Sequence, residues 1–394
     1  MLNSQTPQRD QAPAFPTAAS PLGRRSLRVT SKALPEHNRR HNRSLILQTL
    51  FHGGSMSRAD LARESGLTRV TVSDLVSELA SEGIIQELGP RTGARVGKPA
   101  RMIGIDENAY TVIALDLSAD DRFVGTIVTL RGAMVHRLEV PIAETTGGGA
   151  VELALALARD LLKRATVRIL GIGIGTPGIV GHDGVVREAP NLGWVDVDLA
   201  GRFRAEFGVP IHVGNDANAA ALAIHTFRES SAESLMVVTI EHGVGAGLII
   251  GGALVEGEQF TAGEIGHVVV DETGDACACG RIGCLELAIA VPRLKRRLAD
   301  APASDRDSVL ADAGRALGVA IAPVISALNL NEVVLSGPAD LVEGAFLDSA
   351  RDTIRARTLS AVSNGLDMSL AQRSDELVLL GATVLVLSAE LGVS

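Results

Sequence analysis

The stretch GEIGHVVVDETGDACACGRIGCLE, residues 263–286, contains all three cysteines of the 394-residue chain and one of its histidines. His267 stands ten residues before Cys277, and Cys279 and Cys284 follow within the same short segment. Imidazole and thiolate ligands at this spacing suit a tetrahedral Zn²⁺ site, because the glycine turn after Cys279 brings Cys284 back to the same ion. Four protein ligands leave no position for water, so we expect a structural zinc ion.

Two other interpretations of the cysteines are a disulfide framework and three unrelated buried thiols. An odd number of closely spaced cysteines argues against disulfides, and so does the start of the chain, which has no apolar segment after a basic one. Hydrophobic residues make up 46% of the sequence, but no apolar run approaches the ~20 residues of a membrane span. We therefore expect a cytoplasmic protein that does not bind membranes.

The net charge of −9 hides a division along the chain. Residues 1–101 carry 15 Lys and Arg against 8 Asp and Glu, whereas the remaining residues carry 22 against 38. A basic front end on an acidic body predicts that only the front end meets a polyanion. An unstructured basic tail would give the same charge, so the interpretation depends on the motifs in this region.

The N-terminal third of the chain divides into a leader and a helical segment. Residues 1–36 are rich in Pro, Ser, Ala, Gln and Arg without periodic apolar positions, which predicts a disordered leader. From His41 apolar residues recur at helical spacing, and Ser57 and Thr68 are suited to begin two further helices joined by a glycine turn. This order predicts a helix-turn-helix within residues 37–102.

A short strand and a basic, Gly- and Pro-rich segment at residues 89–101 follow, and together they predict a wing. Basic wing residues neutralise phosphates, whereas polar residues near the start of the third helix face the major groove. We therefore expect operator DNA to be bound by Arg69, Thr71, Ser73, Arg91, Arg95, Lys98 and Arg101. The alternative is a helical domain whose arginines only confer solubility, but helix order, wing and charge sign all favour DNA binding.

From residue 103 onward the pattern changes to short apolar strands, which predict two α/β lobes with a cleft between them. The first lobe is predicted at about 103–214 plus the C-terminal helix, and the second at about 215–372. The strands of the first series lie at residues 111–117, 122–130, 133–141 and 169–178, and those of the second at 234–240, 243–252 and 332–337.

Two motifs in these lobes resemble the signatures of the ROK family, which comprises sugar kinases and, where a winged helix-turn-helix precedes the sugar domain, transcriptional repressors. GEIGH at 263–267, followed by CACGRIGCLE at 277–286, is similar to the sugar-and-zinc signature of the family, and GNDAN at 214–218 is similar to its substrate-aspartate motif. The resemblance covers about residues 38–394. It implies an actin-like, hexokinase-type α/β fold for the ROK sugar-binding domain, residues 103–394.

Sugar hydroxyls are held best by carboxylates and amides, which accept and donate hydrogen bonds in a fixed plane. In the family the counterpart of Asp216 is the general base that takes a proton from the sugar, and the counterpart of His267 contacts both sugar and zinc. The ion would then orient the loop that presents the neighbouring carboxylates. The groups expected to bind a monosaccharide are Asn191, Asn215, Asp216, Glu264, His267 and Glu286.

The loops that would hold ATP depart from those of the kinases in the family. The kinases carry an Asp-x-Gly-Gly-Thr type loop after the first strand, whereas this chain has DLSADD at residues 116–121. In the second loop, Glu241-His242 precedes Gly243 where the kinases tend to have Gly-Thr-Gly. The added carboxylates would repel phosphate groups at short range, so we expect no catalysis.

The resulting hypothesis is a sugar-responsive repressor, in which a bound sugar changes the arrangement of the two winged helices of a homodimer or a dimer of dimers. Two alternatives stay open. One is an active ATP-dependent sugar kinase with an appended DNA-binding domain, in which Asp216 is catalytic. The other is a DNA-binding protein whose sugar domain serves only for dimerisation.

Overall fold

The computed structural model describes residues 35–90, 100–227 and 232–394, and residues 42–394 form one compact unit. The chain has a winged helix followed by two α/β lobes, which confirms the fold class expected from the sequence. The predicted strands at residues 111–117, 122–130 and 133–141 pair as an antiparallel meander.

The winged helix contains three helices and a three-stranded antiparallel sheet. Its elements are α1 (Pro35–Gly53), β1 (Met56–Ser57), α2 (Arg58–Ser65), α3 (Arg69–Ser81), β2 (Ile85–Pro90) and β3 (Arg101–Ile105), with strand order β1-β3-β2. The hydroxyls of Ser57 and Thr68 accept hydrogen bonds from backbone amides in the first turns of α2 and α3, as their capping role predicts. Helix α1 begins at Pro35, earlier than the predicted His41. The prediction began too late because the first turns of the helix are polar and carry no apolar pattern.

The first lobe is built on a five-stranded sheet with strand order β11-β7-β4-β5-β6. Strands β4, β5 and β6 are antiparallel, whereas β7 and the edge strand β11 run parallel to β4. Its elements are β4 (Tyr110–Asp116), β5 (Arg122–Thr129), β6 (Met134–Pro141), α4 (Gly147–Arg164), β7 (Arg168–Thr176), β8 (Ile179–Val180), β9 (Val185–Ala189), β10 (Trp194–Asp198), α5 (Leu199–Phe207) and β11 (Ile211–Asn215). Strands β8, β9 and β10 form a small separate sheet.

The second lobe repeats this plan with strand order β14-β13-β12-β15-β16. Its elements are α6 (Asp216–Phe227), β12 (Leu235–Ile240), β13 (Val244–Ile250), β14 (Ala253–Leu254), α7 (Leu285–Ile289), α8 (Val291–Asp300), α9 (Arg306–Leu328), β15 (Glu332–Ser336), α10 (Ala339–Val342), α11 (Ala345–Arg357), α12 (Ser360–Ser363) and β16 (Asp367–Leu370). The C-terminal helix, α13 (Leu377–Leu391), packs against the sheet of the first lobe and against α6. The segment Ala303–Leu328 is long and apolar enough to cross a membrane. Its buried face instead packs against α11, where Gly314 lies against the Phe346 carbonyl.

Helix α13 connects the start of the second lobe to the winged helix. It packs against α6 so closely that a Cβ atom on Gly381 would lie 1.8 Å from the carbonyl oxygen of Ala219. At its other end Leu387 and Leu391 are buried in the same hydrophobic cluster as the winged-helix core. The amide of Gln48 in α1 also donates to the Ser394 carbonyl at 2.9 Å. Helix α13 is therefore in contact with both α6 and the winged helix.

Candidate functional site

The Asn215–Asp216 pair lies where β11 ends and α6 begins, in the cleft between the lobes. The Asn215 amide donates to the carbonyl of Gly178 at 3.0 Å and to Oδ1 of Asp216 at 2.9 Å. The backbone amide of Ala217 donates to the same Oδ1 at 2.9 Å. Two donors thus fix the Asp216 carboxyl through one oxygen. Within the described residues no side-chain donor reaches its Oδ2.

Burial raises the pKa of Asp216 to about 7, and the negative charges of Asp116 and Glu264 add to the increase, while the hydrogen bond from Ala217 opposes it. A carboxyl group with a pKa near 7 can accept a hydroxyl proton at neutral pH. The same geometry also suits a hydrogen bond to a bound sugar, so the raised pKa does not separate catalysis from binding.

We expect Asp216→Asn to stabilise the unliganded protein at pH 8 and much less at pH 5. The folded-state pKa lies above the unfolded one, so stability from this group is present at low pH and is lost as pH rises towards 7. The difference in the free energy of unfolding between the two pH values should be about 1–2 kcal/mol after allowance for solvent screening. Urea unfolding of both proteins measures it, and an equal effect at pH 5 and pH 8 would contradict the burial of this charge.

A second group of predicted sugar ligands comes from the loop before α7. His267 ends a short 3-10 helix, and Glu286 lies in α7, where its Oε2 accepts from the Val244 amide at 3.3 Å. Burial removes the Glu264 carboxyl from water and raises its pKa. The charge of His267 lowers this pKa, whereas the carboxylates of Glu286 and Glu188 raise it further. The side chains of His267 and Glu286 are therefore near enough to Glu264 to affect its carboxyl.

Two residues depart from the sequence reasoning. Glu188 in β9 is close enough to Glu264 to affect its pKa, and it lies three residues before Asn191, but it was not among the predicted ligands. Asn191 is exposed on the 3-10 helix Pro190–Leu192, and no hydrogen bond within the described part of the chain ties it to the other predicted ligands. Its place in the site stays a prediction.

The four predicted metal ligands form one cluster. The ligand atoms of His267, Cys277, Cys279 and Cys284 all lie within 4.8 Å of one another. Cys279 Sγ is 3.5 Å from Cys284 Sγ, and Cys277 Sγ is 3.8 Å from His267 Nδ1. Two sulfurs bound to one zinc ion at ~2.3 Å in a tetrahedron stand about 3.8 Å apart, so the cluster has dimensions compatible with a metal site.

The backbone of the cysteine loop holds these ligands in place. Gly283 has a φ of +69°, and a Cβ there would lie 1.5 Å from the Asp271 carbonyl oxygen, so the chain can turn back to Cys284 only through glycine. The backbone amide of Cys277 donates to the Arg281 carbonyl at 2.7 Å. A hydrogen bond from the Arg281 backbone lowers the pKa of the Cys279 thiol, whereas burial raises the pKa of the Cys284 thiol.

The two altered nucleotide loops meet across the cleft. His242, between β12 and β13, contacts the carboxylate of Asp120, between β4 and β5. Burial raises the pKa values of Asp116 and Glu241, and the nearby charge of Asp116 adds to the increase for Glu241. Carboxylates and an ion pair thus lie together where the two loops meet. The sequence predicted that the carboxylates would repel phosphate, but it did not predict the direct contact between His242 and Asp120.

The predicted DNA-reading residues lie at the start of α3. Arg69 and Ser73 are exposed, and within the described residues no partner engages the Arg69 guanidinium. The Thr71 hydroxyl lies 2.9 Å from that of Thr68. Val70 is 70% exposed beside them and was missed, although an exposed apolar side chain on this helix suits a thymine methyl group.

The wing residues are only partly described. Arg101 in β3 is engaged by Glu87, at 2.7 Å, and Arg58 shares the same carboxylate at 3.2 Å. This pairing reduces the charge that Arg101 presents to phosphates. Arg91, Arg95 and Lys98 lie outside the described residues, so their DNA contacts stay predictions.

Comparisons with known proteins agree with both parts of the molecule. The sequence model of the ROK family matches residues 112–389, and that of the winged helix-turn-helix DNA-binding family matches residues 39–86. The chain is 29% identical to a putative xylose repressor of Caldicellulosiruptor sp. (strain Rt8B.4), over 88% of this chain and 95% of that protein. It is 28% identical to a glucokinase of Halalkalibacterium halodurans, over 67% of this chain and 91% of that protein.

Among solved structures, a ROK family transcriptional regulator described as a homolog of the Escherichia coli MLC protein superposes with a TM-score of 0.80. It is 23% identical, and the match covers 90% of this chain and 98% of that one. At this identity the likeness shows a shared fold that includes the N-terminal domain.

Proposed function

Because this chain belongs to the ROK family, we propose that it is a sugar-responsive transcriptional regulator, most simply a cytoplasmic repressor that binds operator DNA through α3 and the wing. A monosaccharide in the cleft modulates that binding. The observation that carries the proposal is the route through α13. One end of this helix packs on α6, whose first residue is Asp216, and the other end completes the core of the winged helix.

The sugar is held by opposite walls of the cleft. Asp216 faces it from the start of α6, where the Asn215 amide holds the Asp216 carboxyl in place, while Glu264, His267 and Glu286 face it from the second lobe. A ligand that joins both walls favours the closed arrangement of the lobes over the open one. Asn191 and Glu188 would add contacts from the small sheet.

The relatives named as repressors support this assignment, because the match to the putative xylose repressor extends across the winged helix as well as the lobes. A titration of labelled operator DNA, in the absence and presence of monosaccharides, aminosugars and their phosphates, tests it. A coupling of 1–3 kcal/mol would change the operator Kd by roughly 5- to 150-fold. If no sugar in the panel changes the Kd or the thermal midpoint, the lobes serve only as a scaffold for dimerisation.

We further propose that the cluster of His267, Cys277, Cys279 and Cys284 holds a structural zinc ion. Three thiolates and one imidazole are a usual donor set for this metal, and the separations fit a tetrahedron. A bound zinc ion supplies no catalysis here, because all four positions are filled by protein. Its role is to fix the loop from which His267 and the adjacent Glu264 face the cleft.

We expect Cys279→Ser to lower metal content and sugar affinity together. The hydroxyl is a poor zinc ligand at neutral pH, and loss of the ion frees the loop that carries Glu264 and His267. Metal content is measured by atomic emission and sugar affinity by calorimetry. Arg281→Ala is the matched control, since it alters the same turn without removing a ligand atom. Reduced zinc with unchanged sugar affinity would contradict the coupling between ion and sugar loop.

The alternative of an active ATP-dependent sugar kinase is supported by the raised pKa of the Asp216 carboxyl and by the similarity to a glucokinase of Halalkalibacterium halodurans. Asp120, Glu241 and His242 count against it, because phosphate binding there would bring the anionic γ-phosphate beside carboxylates and break the ion pair. Incubation with ATP, Mg²⁺ and the same sugars decides the matter. Sugar-dependent ADP formation that is abolished in Asp216→Ala would overturn the assignment as a regulator without enzyme activity.

A palindromic operator would be read by two copies of α3, so we propose a homodimer or a dimer of dimers in solution. Light scattering of the purified protein, with and without sugar, measures this state. A monomer at micromolar concentration would contradict it.

A further inference from the structure

One cysteine of the proposed zinc cluster is open to solvent. Cys279 is exposed, whereas Cys277 and Cys284 are only 7% and 1% exposed. A small solute can therefore reach Cys279 without any opening of the fold, while the other two thiols are shielded by protein. The exposed thiol is thus the place where a reagent in solution meets the cluster.

A second sulfur lies close to the exposed one. Sγ of Cys284 is 3.5 Å from Sγ of Cys279, and a disulfide bond is ~2.05 Å long, so an approach of roughly 1.5 Å joins them. Gly280, in the turn between them, has a φ of +87°, and a Cβ there would meet no atom of the described residues within 4 Å, so this part of the turn has room to move. Cys277 is separated from Cys279 by one residue only, and a disulfide across that spacing closes a small strained ring. Cys279 and Cys284 are therefore the pair that oxidation joins.

A positive charge lies beside the exposed sulfur. Nη1 of Arg281 is 3.8 Å from Cys279 Sγ, and Arg281 is itself exposed. Reactive cysteines occur at accessible positions next to arginine or lysine, because the cation stabilises the anionic sulfur that attacks an oxidant. A bound zinc ion holds the sulfur in the same anionic form. The surroundings of Cys279 therefore favour its reaction with an oxidant.

The cysteine turn is attached to both segments that carry predicted sugar ligands from the second lobe. Cys284 immediately precedes α7, which contains Glu286. Its sulfur lies 3.7 Å from the backbone carbonyl of His267, and its backbone pairs with that of Val269. Movement of the Cys284 sulfur therefore disturbs contacts next to both His267 and Glu286.

We propose that Cys279 and Cys284, with Arg281 beside them, form a peroxide-sensitive pair that releases the zinc ion when it is oxidised. The Cys279 thiolate attacks hydrogen peroxide, the O–O bond breaks, and the products are a sulfenic acid and hydroxide. The Cys284 thiolate then attacks the sulfenic sulfur, a disulfide forms and a second hydroxide leaves. Two protons from solvent convert both hydroxides to water. The two sulfurs lose two electrons, and the peroxide gains them.

Oxidation leaves the ion with only His267 and Cys277 as protein ligands, which is too few for a structural site. Zinc is released, and segment 263–286 loses the ion that joins its two ends. This inference rests on the proposed zinc and sugar sites, and it adds a form of regulation to them: the oxidised protein binds sugar more weakly and responds to it less. Reduction of the disulfide and return of zinc restore the segment.

Peroxide treatment of the zinc-loaded full-length protein tests the proposal, with released metal followed by a colorimetric chelator. We expect one zinc ion to be released for each disulfide formed, and peptide mass spectrometry to find Cys279 joined to Cys284. Hydrogen exchange of segment 263–286 should become faster, whereas that of α11 should not change. Dithiothreitol with added zinc should reverse all three changes.

Three variants separate oxidation from simple loss of a ligand. Cys279→His supplies an imidazole, which binds zinc but forms no disulfide, so this protein should keep its metal in peroxide. Arg281→Ala keeps all four ligands and should release zinc several-fold more slowly than the unaltered protein. Arg281→Lys keeps the charge and should release zinc at close to the original rate.

Zinc that stays bound in peroxide, equally fast release from Cys279→His, a disulfide that leaves Cys284 free, or an unchanged rate in Arg281→Ala would each overturn the proposal. A freshly reduced protein that binds no zinc would overturn the proposed metal site, and the proposed thiol pair with it. Peroxide-driven zinc release in a protein that binds no sugar would instead overturn only the proposed sugar regulation.

Discussion

Replacing Arg69 with alanine is expected to weaken operator binding by roughly 5- to 150-fold, which corresponds to about 1–3 kcal/mol for one good contact to a base. Arg69 is the first residue of α3, is exposed, and has no partner in the described part of the chain, so its full charge is available to DNA. Fluorescence anisotropy of labelled operator DNA, repeated at several salt concentrations, measures the effect. If Arg69 contacts a phosphate instead, the loss is uniform across sequences and the salt slope falls by about one.

Arg355→Ala is the matched control for this change. Arg355 lies in α11 of the second lobe, is exposed, and pairs with Asp352 one helical turn away. Both substitutions remove one positive charge, so an equal loss of affinity would mean that only net charge matters. A loss of sugar binding in Arg69→Ala would contradict the proposal that the winged helix binds DNA and the lobes bind the sugar.

The His267–Cys284 cluster and the adjacent Asn215 and Asp216 could be predicted from the sequence because their geometry is local. Cys277, Cys279 and Cys284 are joined by tight turns, and Asn215 and Asp216 are neighbours whose positions follow from a strand running into a helix. Residue type and spacing are then enough to predict the ligand set, although the identity of the ion is not given by spacing alone.

The contacts that sequence reasoning missed join distant parts of the chain. Asp120 and His242 lie in different lobes, and nothing in either loop alone predicts their ion pair. The same is true of Glu188, which faces Glu264 from the small sheet.

The role of α13 could not be predicted for a different reason. Its sequence, LVLLGATVLVLSAEL, is apolar on nearly every side, so periodicity indicates a buried helix but not which elements surround it. The structure shows three partners: the sheet of the first lobe, α6, and the winged helix. Because α13 is buried against all three, both of its ends are held in place. It can therefore link α6 to the winged helix in addition to filling the core.

Gly381→Ala is expected to uncouple sugar binding from DNA binding. The new Cβ would lie 1.8 Å from the Ala219 carbonyl oxygen, so α6 and α13 must separate. Overpacking of this kind costs about 1–3 kcal/mol, which exceeds the gain of up to ~1 kcal/mol that alanine brings to a helix interior. The ratio of operator Kd values with and without sugar should fall from the expected 5- to 150-fold towards one. Sugar affinity should change far less, because the ligands around Asp216 are kept.

The matched control is Gly365→Ala. Gly365 is exposed and does not require a left-handed backbone, and a Cβ atom added there would meet no atom of the described residues within 4 Å. This change should leave stability, sugar affinity and the Kd ratio unchanged. Circular dichroism establishes that Gly381→Ala is folded before its binding is compared. A folded Gly381→Ala protein with an unchanged Kd ratio would show that the signal does not pass between α6 and α13. The remaining route would then be relative movement of whole protomers, in which α13 only stabilises the winged helix.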